Sequence, residues 1–287
     1  MTVIRPMIAG DVADAEVAWA DAFDTMRAGY GLPVDARTAE SIERSRLRIA
    51  HLLSTDPGGS FVAEDSDGRV IGIGQALVRE ECWVLSLLGV ATRHQERGTG
   101  AALLAAALGY GSAARTGIIL CSRDPRAMRR YARAGFDLHP SVTAHGRVNR
   151  SALPPTGGVR PGGPADLELV ATMDRRARGG PHGPDLQHSL GAGCSLLVID
   201  GEGYAVVRGA KPVFLAAATE QAAVELLGAC LARAGDEEVE VNWLTAGQQW
   251  AIRVVLAAGL ALHPVGPVMT RGMPAPPSWY LPSGAFG

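Results

Sequence analysis

Apolar positions arrive along this chain in short runs and at helical spacing, separated by polar and Gly/Pro clusters. Residues 3–6 (VIRP) read as a short strand, and Gly10-Asp11 can cap a helix running through Trp19 towards Arg27. Tyr30-Gly31-Leu32-Pro33 breaks that helix. Asp35 starts a second one, with Ile42, Leu47, Ile49 and Leu52 on one side, and Asp56-Pro57-Gly58-Gly59 ends it. Runs 60–64 and 70–78 are strands around Asp65-Ser66-Asp67-Gly68, a hairpin turn, and 82–90 is a third strand of the meander. The Ala/Leu-rich run 101–108 is a helix, and 118–122 a strand. Asp124-Pro125 opens a helix that carries Ala127, Met128 and Tyr131 and stops at Gly135. Stretches 136–139 and 142–148 read as a last hairpin. The order β-α-α-β-β-β-α-β-α-β-β is an α+β design, a mixed, mostly antiparallel sheet flanked by helices.

The second half repeats the first. After a linker-like SALPPTGG at 151–158, Val159-Arg160-Pro161 followed by Asp166 echoes Ile4-Arg5-Pro6 followed by Asp11, with the Arg-to-Asp spacing identical. Ser195-Leu196-Leu197-Val198-Ile199-Asp200 echoes Ser60-Phe61-Val62-Ala63-Glu64-Asp65. Ala258-Gly259-Leu260-Ala261-Leu262-His263-Pro264 echoes Ala134-Gly135-Phe136-Asp137-Leu138-His139-Pro140. Three matches in one order predict two copies of one fold, over 1–150 and 159–273. The Pro/Gly/aromatic stretch 274–287 is expected to be a docked tail, whether a strap across the second copy or a wall of the first copy's pocket.

Composition narrows the class. The chain has 287 residues, 47% hydrophobic and 20% charged, which is globular. A net charge of −2 argues against a general nucleic-acid or anionic-membrane surface. Cys82, Cys121, Cys194 and Cys230 form no CxxC pair and read as reduced core residues, with no metal site. The N-terminus carries Asp11, Asp14 and Glu16 in place of a signal-peptide core, and no apolar run approaches the ~18 residues of a membrane span. A cytoplasmic protein, monomer or homodimer, is expected.

The chemistry centres on residues 88–104, LGVATRHQERGTGAALL. Glycines between a strand and a helix let backbone approach a ligand, and a helix start offers unpaired N–H groups with partial positive charge. That suits a pyrophosphate. A Rossmann loop fails here, because Leu103 stands where the third glycine belongs and the loop is too long. A P-loop is excluded by the lack of Gly-Lys-Ser/Thr. In the second half the matching stretch, Ala218-Thr219-Glu220-Gln221-Ala222, places a carboxylate where a phosphate would sit.

Leu88-Gly89-Val90, then Gln95-Glu96-Arg97-Gly98-Thr99-Gly100, resembles the Q/R-x-x-G-x-G/A motif of the GCN5-related N-acetyltransferase (GNAT) superfamily. Asp124-x-x-Ala127-x-x-x-Tyr131-x-x-x-Gly135-Phe136 resembles its second block, with aspartate in place of asparagine. The resemblance covers 1–150 and extends as a degenerate copy over the second half, so two tandem GNAT-like domains are implied. It implies acetyl-CoA as acyl donor, and a small-molecule or peptide amine acceptor. Backbone of Gln95, Glu96, Arg97, Gly98, Thr99, Gly100 and Ala101 would cradle the pyrophosphate, and Arg93 or Arg97 could add a charged contact. Leu88 and Val90 would pair with the pantetheine, next to a bulge at Gly89, and the Val90 amide would polarise the thioester. Asp124 is placed at the cofactor side, and Tyr131 takes the general-acid position. The general base stays open, with Glu80 and Glu81 the nearest candidates in sequence. The alternatives are a non-catalytic acyl-CoA sensor and a dinucleotide-binding protein.

Overall fold

In the computed structural model, which describes residues 2–31, 34 and 36–287, the chain folds as two compact units. The expected helix break at Leu32-Pro33 and helix start at Asp35 fall on positions outside the described residues. The first unit comprises Met1–Val78 and Trp83–Ala114. Its strands are β1 (Val3–Pro6), β2 (Ser60–Glu64), β3 (Val70–Arg79) and β4 (Cys82–Val90), in the spatial order β1-β2-β3-β4. Helices α1 (Val12–Gly29) and α2 (Ala39–Thr55) lie between β1 and β2 in the chain, and α3 (Thr99–Tyr110) follows β4. Thr38 caps α2 by accepting from Ser41 N.

Two apolar clusters hold this sheet between its helices. Met7, Ala15, Ile49, Val62, Ile73 and Leu87 form one with Trp19, joining α1 and α2 to the sheet. Ala63, Ile71, Val90 and Leu103 form the other with Leu88, joining α3. Along β4, Leu87 and Gly89 face α1 and α2, while Leu88 and Val90 pack with Leu103 of α3. That alternation is regular through Gly89, where a bulge was expected. It fails further back: Trp83 donates its indole N–H to Ala107 O of α3 at 3.0 Å, yet it is four residues from Leu87 and should share its face.

The second unit, Arg79–Cys82 with Arg115–Gly287, contains two sheets' worth of strands. Its elements are β5 (Thr116–Leu120), α4 (Pro125–Arg133), β6 (Asp137–Arg147), β7 (Arg160–Pro161), α5 (Leu167–Arg178), α6 (Pro184–Gly191) and β8 (Ser195–Ile199). They continue with β9 (Gly203–Arg208), β10 (Lys211–Ala217), α7 (Glu220–Leu231), β11 (Glu238–Thr245), α8 (Gln249–Ala257), β12 (Ala261–Arg271) and β13 (Tyr280–Leu281). One run has the order β5-β12-β6-β11, and a five-stranded sheet has the order β13-β10-β9-β8-β7.

The first run overturns the expected hairpin at 136–148. β6 is one continuous strand of 11 residues, and both of its neighbours come from the second half. β12, also 11 residues, lies between β5 and β6, antiparallel to each. Pro140-Ser141 was read as a turn, but it lies at a bulge. Register passes from Val265↔Ser141 to Val268↔His139, so β12 carries one extra residue opposite Pro140. The two central strands are the same element of the two copies. α4 and α8 each have 9 residues and end on a left-handed glycine, Gly135 (φ +84°) and Gly259 (φ +86°). Phe136 N bonds back to Tyr131 O at 3.2 Å and Leu260 N to Val255 O at 3.0 Å. The copies have exchanged a strand.

The predicted Arg–Asp signature has the same job in both copies. Arg5 forks onto Asp11 at 2.7 and 2.8 Å and reaches Glu64, while Arg160 forks onto Asp166 at 3.1 and 2.6 Å and reaches Asp200. Each aspartate also accepts a backbone N–H, from Ile8 or Gly163, at 2.8 Å. Strand pairing corrects the alignment by one residue: Arg5 faces Val62 and Arg160 faces Val198, so Glu64 matches Asp200. All four cysteines are buried and free. No helix among the described residues is long and apolar enough to cross a membrane.

Candidate active site

The loop from β4 to α3 is built to present backbone. After Val90, residues 92–94 form a short 3-10 turn tied to α1, where Thr92 N donates to Asp21 Oδ2 at 2.6 Å. Gln95 turns its side-chain amide back to Val90 O at 2.9 Å, which fixes the loop to the strand end. Glu96 (φ +66°) and Gly98 (φ +82°) are both left-handed. At Gly98 a side chain would find open space, so the glycine answers to backbone conformation and not to crowding.

The result is an uncapped helix start. Gly98, the N-cap of α3, has no side chain to supply a cap, and the first turn carries no acidic residue. Ala101 and Ala102 both donate to Gly98 O at 3.0 Å. The amides of Gly98, Thr99 and Gly100 have no acceptor among the described residues. The Thr99 hydroxyl is buried and likewise has none. Glu96, Arg97 and Ala101 are exposed around it. An anion with several oxygens would satisfy the amides, the hydroxyl and the helix dipole together. The residues therefore fit the phosphate-bearing cofactor that the sequence motif implies.

Beside this loop, the end of β4 is closely covered. A Cβ on Gly89 would lie 3.3 Å from both Cα and Cδ1 of Trp19, so α1 rests directly on the strand there. Val90 is buried, its side chain packed against Ile71 and Leu103.

Tyr131 and Asp124 belong to the second compact unit. Tyr131 sits on α4, 6% exposed, with no hydrogen bond to its hydroxyl among the described residues. Burial, reinforced by nearby Cys121 and Asp124, holds the phenol's proton well above the ordinary tyrosine range. Cys121 is pushed up to about 12, again by burial first. Asp124 caps α4, accepting from Arg126 N at 2.8 Å and from the Arg126 guanidinium at 3.0 and 3.1 Å. Burial pushes this carboxyl up, but the Arg126 hydrogen bonds outweigh it and hold it below the usual carboxylate range. Asp124 is thus occupied locally. Glu80 and Glu81 are in exposed ion pairs with Arg175 and Arg115, and His139 faces Thr270 at 2.9 Å.

The second copy lacks each of these features. Thr219 caps α7 with its own hydroxyl, accepting from Ala222 N at 3.2 Å, and Glu220 in the first turn is held by Arg253. Val255 stands where the first copy has Tyr131. The outer edge of β10 is paired by the tail: β13 runs antiparallel to it, and Ala217 N donates to Trp279 O at 3.0 Å.

A buried polar cluster, not singled out from the sequence, pins that tail. His182 Nδ1 meets Asp174 Oδ2 at 2.9 Å, and Asp174 also accepts from the Tyr204 hydroxyl. Arg178 donates to Phe286 O at 2.8 Å, and Tyr280 OH donates to Gly287 O at 2.6 Å. Asp174 and His182 are wholly buried. Their sequence signal is only a lone Asp on a helix and a His in a Gly/Pro loop, neither of which stands out.

Comparison with known proteins agrees with this geometry. The Acetyltransferase (GNAT) family model matches residues 21–136. No curated protein matches the sequence. Among solved structures, a protein of Pyrococcus horikoshii assigned as an acetyltransferase superposes with TM-score 0.77 at 19% identity, over 100% of this chain and 96% of that one. A tandem GNAT protein from the clavulanic acid biosynthesis pathway gives 0.59 at 15%, over 96% and 100%. A GCN5-related N-acetyltransferase from Sphaerobacter thermophilus gives 0.55 at 15%, over 94% and 95%. Residues 21–136 thus match the GNAT acetyltransferase family model, and the chain as a whole shares the fold of these structures, one of them a tandem GNAT protein.

Proposed function

We propose that the chain transfers an acetyl group directly from acetyl-CoA to an amine, with cofactor and chemistry in the N-terminal copy. The observation that carries this reading is the start of α3: three unbonded amides and an orphaned, buried Thr99 hydroxyl at an uncapped helix N-terminus. Acetyl-CoA supplies the acetyl group already activated as a thioester. The amides of residues 95–101 hold the pyrophosphate, and the Thr99 hydroxyl donates to it. The exposed Arg97 adds charge. Leu88 and Val90 pair their backbone with the pantetheine, and the Val90 N–H donates to the thioester oxygen, most strongly as that oxygen gains charge.

Tyr131 donates the proton that the departing sulfur needs. This assignment rests on its place in the second motif, and the raised pKa of the phenol keeps it in the donating form. Asp124, engaged as the cap of α4, is assigned to the cofactor by its place in the second motif alone. The domain plan is a catalytic copy over 1–150, a linker at 151–158, a scaffold copy over 159–273 and a docked tail over 274–287. The acceptor is a small-molecule or peptide amine met in the cytoplasm, by a monomer or homodimer. An amine-acceptor screen with acetyl-CoA and thiol detection tests the reading: thiol release with at least one amine is expected. Tight CoA binding without transfer to any amine would instead make the chain an acyl-CoA sensor.

A further inference from the structure

Eight residues, 91–98, separate the end of β4 from the start of α3, whereas two, 218–219, separate β10 from α7. The short connection leaves the backbone little choice of path. The long one could take several, and it contains two left-handed residues, Glu96 and Gly98. A left-handed glutamate is costly and persists only where its surroundings hold it. Near the start of the loop, Thr92 N donates to Asp21 Oδ2 of α1 at 2.6 Å. Gln95, directly before the strained Glu96, is half-buried and donates its side-chain amide to Val90 O at 2.9 Å.

That bond falls on one particular peptide. The group joining Val90 to Ala91 has its carbonyl held by Gln95, while its N–H donates to Ile71 O of β3 at 2.8 Å. Both of its polar ends are therefore fixed, one to the loop and one to the sheet. The carbonyl keeps a second lone pair for another donor. The Val90 N–H, which the acetyl-transfer reading aims at the thioester oxygen, lies across a single Cα from this peptide. One side chain thus links the loop that this reading gives to the pyrophosphate with the strand end that it gives to the thioester.

We propose that Gln95 is a positioning residue whose side chain sets the span between the pyrophosphate cradle and the Val90 amide, so that a ligand occupying both ends is bound in register. The assignment rests on the acetyl-transfer reading above. A ligand that occupies the cradle alone has no register to keep, so loss of the Gln95 bond acts first on ligands that carry the pantetheine arm. Reach and donor both count. Methionine fills a similar volume with no N–H, and asparagine keeps the amide but is one methylene short. An ionised glutamate cannot donate and turns a charge on the carbonyl, whereas arginine, the motif's other residue at this position, can donate.

Calorimetry on the full chain with ADP and dephospho-CoA tests this. ADP carries the pyrophosphate alone, and dephospho-CoA adds the pantetheine arm to it. The quantity read is the ratio of the two affinities, in which changes common to the cradle cancel. Gln95→Met is expected to lower that ratio about fivefold, the scale of one hydrogen bond. Gln95→Asn and Gln95→Glu should lower it as well, and Gln95→Arg should restore most of it. Melting curves by circular dichroism report whether each variant is folded, and replacements of different chemistry keep the test open if one is not. An unchanged ratio in Gln95→Met, with both ligands weakened alike or neither weakened, would overturn the assignment. So would a ratio lowered as far in Gln95→Arg as in Gln95→Met. Either result, with the wild-type chain preferring dephospho-CoA, leaves the acetyl-transfer reading standing. A wild-type chain that binds dephospho-CoA no tighter than ADP, or binds neither, removes the pantetheine from β4 and the assignment with it.

Discussion

The two copies share a fold and differ in who satisfies the helix that follows the fourth strand. In the first copy, α3 begins at a left-handed glycine with no cap, and its first amides and the Thr99 hydroxyl have no partner among the described residues. In the second, Thr219 supplies the cap, Glu220 adds a carboxylate, and the strand edge of β10 is paired by the chain's own tail. The first arrangement is poorer in internal bonds and the second is complete. A binding site of this kind is a set of bonds the fold declines to make itself, and losing the site amounts to making them.

The comparison can be broken most severely at its chemical difference. Tyr131→Phe should lower kcat by about 10²- to 10⁴-fold with CoA affinity unchanged, as expected for loss of a general acid. Because the phenol keeps its proton above the ordinary tyrosine range, wild-type kcat should show no loss from Tyr131 up to about pH 10. A pH–rate profile checks the sign, since an alkaline loss near neutrality that disappears in Tyr131→Phe would contradict it. Next in size, Gly98→Val forces a β-branched residue to positive φ. Strain of about 1–3 kcal/mol should weaken CoA roughly tenfold to a hundredfold by calorimetry, with little change in fold.

The smallest effects belong to the second copy. Thr219→Ala should cost about 1 kcal/mol in denaturant unfolding, and Tyr280→Phe, which removes the hydroxyl on Gly287 O, about as much. Both should leave CoA affinity and kcat alone. A change in either would mean that the second copy takes part in catalysis.

What the sequence reveals follows the range of the interactions involved. The meander, both glycine C-caps, the Pro125 helix start and the Arg5 and Arg160 signatures are local, so spacing exposes them. The β6–β12 exchange is not, since Asp137–Arg147 has the same residues whether it closes a hairpin or pairs with a strand more than a hundred positions away. Pro140 pointed to a turn and marks a bulge. The glycine-led start of α3 was legible, but the side-chain return of Gln95 to Val90 O was not, because it depends on the loop's path.

The strand exchange also bears on how the protein comes to be made. β6 emerges from the ribosome complete at Arg147, yet both strands that flank it, β12 and β11, lie in chain still to be translated. At about 5–20 residues per second, that leaves β6 waiting on the order of ten seconds with both edges bare. Bare edges recruit other chains, and a proline within the strand is among the features that discourage this. Pro140, which supplies no N–H to a ladder, stands near the middle of that waiting strand. The last strand of the first copy thus carries one position that cannot extend a ladder to a neighbouring chain.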